Sequence, residues 1–178
     1  MNVILDLDQT LIHSVPETSP IPWSEAKTFF IPGYRVYKRP YLDEFLRHIL
    51  RDPWYNVGIW SAGTRVYVHE VIAHLIPDQS KLLFVMTLDD CNEQRQKPLS
   101  KALYRINKDL ADECPLRRLM HDVILIDDLP GVTGYNHLNH LKMIEFEGDQ
   151  DDAELKILWQ YLDANRYHSS EYLVSHWK

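Results

Sequence analysis

The chain has 178 residues, a hydrophobic content of 45% and a formal net charge of -7. This length and composition predict a single domain over 1–178, with the functional motifs within about 3–162 and a C-terminal tail over 163–178. The acidic balance argues against a general nucleic-acid binder and against a protein that binds anionic membranes, so any phosphate site must be local.

Apolar runs and helical spacing alternate along the chain. Five apolar runs predict buried strands of a mainly parallel sheet, at 3–7, 55–60, 81–86, 122–127 and 141–146. Apolar residues at helical spacing predict helices over 41–50, 64–75 and 99–110. Strands that alternate with helices predict a Rossmann-like, doubly wound α/β fold.

The segment 14–40 interrupts this alternation. It holds several prolines and no helical period, and its runs FFI and YRVY are expected to pair as a short β flap. Ligands of open α/β sheets lie beyond the carboxyl ends of the strands, so the flap should border the site. Its aromatic side chains either grip an extended, proline-rich peptide or pack under the flap. They are Trp23, Phe29, Phe30, Tyr34 and Tyr37.

The later part of the chain offers fewer signals. The acidic run at 147–155 predicts the start of the last helix rather than a metal site, because acids favour a helix N-terminus. The tail after Asn165 has an apolar face that is expected to dock on the domain. Cys91 and Cys114 form no disulfide framework and no zinc motif, which favours two reduced thiols.

Nothing in the sequence resembles a signal peptide or a membrane span, because the first apolar run is short and Asp6 interrupts it. We therefore expect an intracellular, soluble protein of the cytoplasm or nucleus that is not secreted. We expect no membrane partner, no direct nucleic-acid partner, and a monomer or weak dimer.

Carboxylates follow two of the predicted strands. Asp6 and Asp8 come after the first run, with Thr10 two residues further on, and a period of two would place all three side chains on one side of an extended segment. Asp127 and Asp128 end a later run. In a parallel sheet these carboxylates meet at one edge, where they would suit Mg²⁺, which prefers oxygen ligands and can neutralise a phosphate.

Paired aspartates also permit phosphoryl transfer. One carboxylate can attack phosphorus in line and form an aspartyl-phosphate. A second can give a proton to the leaving alkoxide and later take one from water. Asp6 and Asp8 have the chemistry for these two parts.

Donors for phosphate oxygens follow the second run. Ser61 offers a hydroxyl, and the backbone amides around Ala62 and Gly63 can point at an oxyanion. Lys97 or Lys101 can screen the charge of the nucleophile and of the transferring group. Each also has a plain structural explanation, because a serine before a helix is often an N-cap and a lysine is often solvated.

Four motifs together resemble a known superfamily. DLDQTL, IWSAG, KPLS and LIDDLP match, in order and relative position, the motifs of the haloacid dehalogenase superfamily. Within it, DLDQTLIHS, KRPYLDEFL, WSAG and IDDLP are similar to the phosphatase domain of the RNA polymerase II C-terminal-domain phosphatases, also called the NLI-interacting-factor-like domain. The resemblance implies a haloacid-dehalogenase-like fold. The places where a cap domain would be inserted hold only short segments, so we expect no large cap and an open site.

The resemblance also implies roles for single residues. Asp6 would be the nucleophile, and Asp8 the general acid and base whose backbone carbonyl also helps to hold magnesium. Thr10 would support the loop, Ser61 would bind the phosphate, and Lys97 would steady the phosphoryl group and the acidic cluster.

Further roles concern the metal and an arginine. Asp128, where close relatives usually have Asn, would ligate magnesium, with Asp127 as a ligand or the neighbour of one. Lys97 aligns better than Lys101 with the lysine motif. Arg39 of KRPYLDEFL either faces the phosphate-binding site or is structural.

The resemblance implies a Mg²⁺-dependent phosphatase that acts through an aspartyl-phosphate. The expected substrate is phosphoserine or phosphothreonine on a protein, such as a peptide like the polymerase C-terminal domain. The segment 88–96 departs from this pattern, because it carries acidic residues where close relatives have an arginine-bearing stretch that receives the substrate peptide. Alternatives are a phosphatase of nucleotides or sugars, and a non-catalytic phosphopeptide-binding module, as in the mitochondrial translocase subunit that resembles this domain. The intact Asp6 and Asp8 favour an enzyme.

Overall fold

The structure, a computed structural model, describes residues 1–21, 26–91, 95, 97, 123–130 and 139–178. These residues form two sheets and four α-helices. The strands are β1 (Asn2–Leu5), β2 (Ile12–Pro16), β3 (Thr28–Ile31), β4 (Tyr34–Lys38), β5 (Asn56–Trp60), β6 (Leu82–Met86), β7 (Val123–Asp127) and β8 (His140–Lys142). The helices are α1 (Leu42–Ile49), α2 (Arg65–Leu75), α3 (Glu154–Ala164) and α4 (Ser170–His176).

The larger sheet has the strand order β6-β5-β1-β7-β8, and every pair in it is parallel. β1 lies at its centre, with Leu5 in register with Ile59 of β5 and Ile126 of β7. The predicted parallel α/β sheet is therefore confirmed. The ends of β1, β5 and β7 lie side by side, so residues that follow these three strands meet at one edge of the sheet.

The three central strands, β1, β5 and β7, are buried on both faces. Val3 and Leu5 pack into a large core with α1, α2, α3 and α4, whereas Ile4 packs with Trp60 and Leu125 on the opposite face. Side chains alternate between faces along a strand, so a strand that is apolar throughout needs cover on both sides. This requirement explains why continuous apolar runs marked the strands in the sequence.

β8 is shorter than the predicted run 141–146. After Lys142 the backbone leaves the sheet: the Met143 amide donates to the Asp127 carbonyl at 2.9 Å, and the Phe146 amide donates to the Gln9 carbonyl at 2.7 Å. These bonds lead the chain across the end of β7 toward the loop that follows β1. The predicted helix over 99–110 lies outside the described residues.

The smaller sheet is the predicted flap. β3 and β4 form the expected hairpin, and the turn between them holds Gly33 at φ 84°, a conformation that glycine adopts without strain. β2 pairs with the other edge of β4, which gives the antiparallel order β2-β4-β3. Sequence analysis did not predict β2 as a strand.

The C-terminal helices follow the acidic run. α3 begins at Glu154, within the predicted run 147–155, but it is not the last helix, because α4 follows it. α4 docks on the core through Leu173, whose side chain is fully buried. Tyr161 of α3 donates its hydroxyl to the Leu173 carbonyl at 2.7 Å. In the part of the chain that the structure describes, no helix has the length and apolar character that a bilayer crossing requires.

Candidate active site

The site begins where β1 ends. β1 stops at Leu5, and the backbone then turns: the amides of Leu11 and Ile12 both donate to the Leu7 carbonyl, at 2.8 and 3.0 Å, and Gln9 has a φ of 61°. The predicted extended spacing is therefore wrong for Thr10, because the chain turns at Gln9. This turn, not a continuing strand, brings the threonine to the edge of the sheet.

Lys97 lies between two buried carboxylates. Its Nζ is 2.6 Å from Asp6 Oδ1 and 2.5 Å from Asp127 Oδ2, and the lysine is 3% exposed. Asp6 follows β1 and Asp127 ends the neighbouring strand β7, so the sheet itself sets their separation. Of the two candidate lysines, the structure places Lys97 beside Asp6, and Lys101 lies outside the described residues.

Thr10 ties the loop after β1 to the end of β7. Its Oγ1 donates to Asp128 Oδ1 at 3.0 Å and accepts from the Asp128 amide at 3.1 Å. The other carboxylate oxygen, Asp128 Oδ2, is buried and has no hydrogen-bond partner among the described residues. A buried acceptor without a partner is costly, so this oxygen marks a place where a ligand would be stabilising.

Burial controls the electrostatics of this cluster. Burial raises the pKa of Asp6 to about 7, and the neighbouring Asp127 adds to the shift while Lys97 opposes it. Burial also raises the pKa of Asp128, against the hydrogen bond from Thr10. Burial alone would lower the pKa of Lys97, but the charges of Asp6 and Asp127 outweigh it and raise this pKa. The lysine is therefore a permanent cation in an acidic cluster.

This donor set suits a hard divalent cation. Asp6, Asp127 and Asp128 each offer an oxygen within 4.8 Å of the other two. Among the described residues the Lys97 ammonium is the one cation in contact with this trio, through Asp6 and Asp127, so two negative charges stay uncompensated when all four groups are ionised. Carboxylate oxygens are the ligands that Mg²⁺ prefers, and the unpartnered Asp128 Oδ2 is available to one. The residues present therefore fit a magnesium ion.

The Asp8 side chain lies apart from these three carboxylates and faces Tyr67. The Tyr67 hydroxyl donates to Asp8 Oδ1, and Ser14 Oγ lies 2.5 Å from the Tyr67 oxygen. Burial raises the pKa of Asp8, against the hydrogen bond from Tyr67 above all. Sequence analysis missed Tyr67, because helical spacing assigned its segment to packing. Its place in the first turn after the SAG motif was the available signal.

Ser61 follows β5 and is buried at the same edge of the sheet. Its Oγ accepts the Gly63 amide proton at 3.0 Å, which leaves the hydroxyl proton of Ser61 available as a donor. The Gly63 amide is therefore used within the loop in this structure, and the expectation that amides around Ala62 and Gly63 point at an oxyanion stays a prediction. Ala62 is exposed in the same turn.

Arg39 does not line the site. It is 1% exposed, and its guanidinium donates to Asp152 at 3.0 and 2.7 Å and to the carbonyls of Thr10 and Ile144, each at 2.8 Å. Its charge also lies 5.3 Å from the centre of the Phe146 ring. These contacts commit its donors to the protein, so the structural alternative is correct and the substrate-binding one is not supported.

The flap aromatics divide into two groups. Tyr37 is buried, and Phe29 packs against the core and stacks on His74 at 4.7 Å. Phe30 and Tyr34 are exposed, and the Tyr34 ring lies edge-on to Tyr67 at 5.5 Å. The flap therefore borders the Asp8 side of the site. Trp23 lies outside the described residues.

Comparison with protein families agrees with this geometry. The family model described as NLI interacting factor-like phosphatase matches residues 1–172. The chain belongs to the NLI interacting factor-like phosphatase family. The match includes every residue of the cluster, the predicted signature after β1 and the flap, so the family resemblance found in the sequence is confirmed.

Curated relatives share this domain within longer chains. Nuclear envelope morphology protein 1 of Schizosaccharomyces pombe is 25% identical over 176 residues, which cover 93% of this chain and 33% of that protein. CTD small phosphatase-like protein 2 of Dictyostelium discoideum is 27% identical over 167 residues, which cover 92% of this chain and 27% of that protein. The chain thus spans about a quarter to a third of the length of these relatives.

A solved structure supports the fold. The RNA polymerase II CTD phosphatase Fcp1 superposes with a TM-score of 0.57 at 23% identity, covering 98% of this chain and 51% of that chain. At this identity the likeness concerns the fold alone. It confirms the haloacid-dehalogenase-like fold that the motifs of this NLI interacting factor-like domain predicted.

Proposed function

We propose that this domain is a magnesium-dependent phosphatase that hydrolyses phosphoserine or phosphothreonine on a protein through an aspartyl-phosphate formed on Asp6. The carrying observation is that Lys97 holds Asp6 at 2.6 Å in a buried cluster of three carboxylates at the carboxyl edge of the sheet. A fixed, buried carboxylate beside a cation is oriented for attack and poorly solvated, and both properties favour a nucleophile.

The first half-reaction uses two aspartates. An Asp6 carboxylate oxygen attacks phosphorus, a bond from that oxygen to phosphorus forms, and the bond from phosphorus to the serine oxygen breaks. Asp8 gives its carboxyl proton to the leaving oxygen, and a raised pKa suits an acid that must carry a proton. In the second half-reaction Asp8 takes a proton from water, which attacks phosphorus and releases phosphate from Asp6.

Other residues hold the reacting groups. The Ser61 hydroxyl proton is available to a phosphate oxygen, because Ser61 accepts the Gly63 amide. The Lys97 ammonium offsets charge on Asp6 and on the transferring group. Thr10 keeps the loop after β1 attached to Asp128. Mg²⁺, held by Asp6, Asp127 and Asp128 with the Asp8 carbonyl, would neutralise charge on the phosphoryl oxygens when bound.

A protein substrate is favoured by the form of the flap. In the described residues the flap is three short strands, with Phe30 and Tyr34 exposed beside the Asp8 side of the site. Such a flap leaves room for a phosphorylated side chain on an extended peptide, which aromatic side chains can grip. The name of the Dictyostelium relative, CTD small phosphatase-like protein 2, agrees with a protein substrate.

The test is phosphate release from three compounds, with Mg²⁺ and with EDTA. The compounds are a doubly phosphorylated serine- and proline-rich heptad peptide, free phosphoserine and p-nitrophenyl phosphate. We expect magnesium-dependent turnover that prefers the peptide and is lost in Asp6→Asn, while the matched variant Asp163→Asn keeps it. Equal turnover of free phosphoserine would favour a small-molecule phosphatase, and no turnover of any compound by folded protein would refute the enzyme.

A further inference from the structure

Tyr67 makes a hydrogen bond at the site that the two proposed half-reactions do not use. Tyr67, in the first turn of α2, donates its hydroxyl to Asp8 Oδ1. A phenol hydroxyl carries its proton at neutral pH, so Tyr67 is the donor in this bond. Asp8 Oδ1 is thus occupied as an acceptor, which leaves Oδ2 as the oxygen that can carry the acid proton.

The Tyr67 ring is held from three sides. A Cβ built on Gly63 would lie 2.8 Å from Tyr67 Cδ1, so the glycine makes room for the ring. Tyr34 of β4 packs edge-on at 5.5 Å. Ser14 of β2 contacts the phenol oxygen at 2.5 Å, and because the phenol proton goes to Asp8, Ser14 donates this bond. Such contacts fix both the ring and its hydroxyl.

We infer that Tyr67 is a positioning residue for Asp8: its hydroxyl fixes Oδ1 so that Oδ2 delivers the proton to the leaving oxygen. This inference rests on the proposed function. As the bond from Asp6 to phosphorus forms and the bond from phosphorus to the leaving oxygen breaks, the proton passes from Asp8 Oδ2 to that oxygen, and Tyr67 keeps its own. Two strands of the flap, through Ser14 and Tyr34, support the same tyrosine, so the flap helps to align the acid.

Two substrates with different leaving groups can distinguish a positioning role of Tyr67 from a merely structural one. A serine alkoxide is a poor leaving group and needs the proton from Asp8, whereas p-nitrophenolate leaves without one. The ratio kcat/KM reports on steps up to the first irreversible one, here transfer to Asp6. A misaligned acid therefore lowers kcat/KM for the phosphoserine peptide and spares p-nitrophenyl phosphate. A damaged nucleophile or a distorted fold lowers both.

The experiment measures kcat/KM of wild type and Tyr67→Phe with Mg²⁺ on both substrates. We expect a loss of about 10- to 100-fold on the phosphoserine peptide and about twofold or less on p-nitrophenyl phosphate. Tyr55→Phe is the matched control, because Tyr55 also donates its hydroxyl to an aspartate, Asp163 at 3.1 Å, in another part of the fold. That variant should leave both values within about twofold of wild type.

Ser14→Ala provides a second, milder variant if Tyr67→Phe melts below the assay temperature. It removes the hydroxyl that contacts the phenol and that also hydrogen-bonds Asp8, and we expect a loss of about threefold confined to the phosphoserine peptide. Equal losses on both substrates, or no loss on the peptide, would overturn the inference while leaving the proposed function intact. An inactive wild type would instead refute the proposed function, and the inference would fall with it.

Discussion

Two clusters of ionisable side chains in this fold have the spacing of a metal site, and they are built differently. One is the buried trio Asp6, Asp127 and Asp128, and the other is the half-buried trio His48, Asp52 and Asp163. In the second trio the protein supplies the partners: Asp163 accepts from Trp159 at 2.9 Å and from Arg166 at 2.9 Å.

The first trio is left short of partners. In the described ranges Lys97 is the one cation in contact with this trio, and Asp128 Oδ2 has no hydrogen-bond partner. The pKa directions follow from this difference. Burial raises the pKa of Asp6 to about 7, whereas for Asp163 burial is outweighed by the hydrogen bonds from His48 and Trp159, which lower its pKa. Unmet charge, rather than the grouping of acids, is what distinguishes a candidate site from a structural network.

The largest expected effect is the loss of the nucleophile. Asp6→Asn keeps the size of the side chain but removes the attacking carboxylate, and we expect phosphate release to fall by about 10⁴-fold or more. Asp163→Asn removes a carboxylate from the other cluster and should keep turnover within about twofold. Phosphate release from the phosphoserine peptide measures both. Comparable losses of phosphate release in Asp6→Asn and Asp163→Asn would contradict the assignment of the active site to the buried trio alone.

A smaller loss is expected when the cation is removed from the buried trio. Lys97→Met removes the ammonium and keeps a long side chain, and we expect kcat to fall by about 10²- to 10³-fold. The uncompensated carboxylates should also lower the free energy of unfolding by roughly 3 kcal/mol without Mg²⁺. Equilibrium unfolding in denaturant, with Mg²⁺ and with EDTA, measures this change in the free energy of unfolding. The exposed Lys156→Met is the control, and an equally small effect in both variants would contradict a compensating role for Lys97.

The metal requirement should depend on Asp128. Asp128→Ala removes the acceptor that lacks a partner, and we expect the Mg²⁺ concentration for half-maximal turnover to rise by about 10- to 100-fold. Asp128→Asn keeps one oxygen and should lie between wild type and Asp128→Ala. The rise in melting temperature on adding Mg²⁺ gives a readout independent of activity. An unchanged rise in Asp128→Ala would show that Mg²⁺ binds elsewhere, and Asp52→Asn serves as the control.

The smallest effect belongs to the other cluster and concerns stability. Asp163→Asn should lower the free energy of unfolding by about 1 kcal/mol, since the side chain is partly exposed. The folded-state pKa of Asp163 is lowered, so its contribution is present above the ordinary pKa of an aspartate and is lost as the pH falls through the folded value, below about 4. Melting temperatures from pH 7 to pH 3 should converge for wild type and variant. A constant gap would contradict this linkage.

The central sheet and the acidic cluster could be predicted from the sequence, because each depends on residues that are neighbours in the chain. Strands buried on both faces appear as continuous apolar runs, and the acids follow directly after them. β2 was not predicted as a strand, because most of its residues are only partly buried and it ends in Pro16. Its sequence therefore shows neither a continuous apolar run nor a regular alternation of apolar and polar residues.

Other features depend on residues far apart in the chain. The helical spacing around Tyr67 gives no hint that its hydroxyl reaches Asp8, which lies 59 residues away. Arg39 was ambiguous for the same reason, because its acceptors lie at Thr10, Ile144 and Asp152. Local patterns place such residues on an element but do not reveal their partners.

The buried Arg39 also sets an order of events during synthesis. Chains emerge from the ribosome with the N-terminus first. The guanidinium holds the carbonyl of Thr10, yet its carboxylate partner Asp152 follows it by 113 residues, and the partner of the Thr10 side chain, Asp128, follows that threonine by 118. Within this domain the loop after β1 is translated before its partners and is completed only after them. A nascent domain therefore carries Asp6 early but has no finished site until most of the domain has been made.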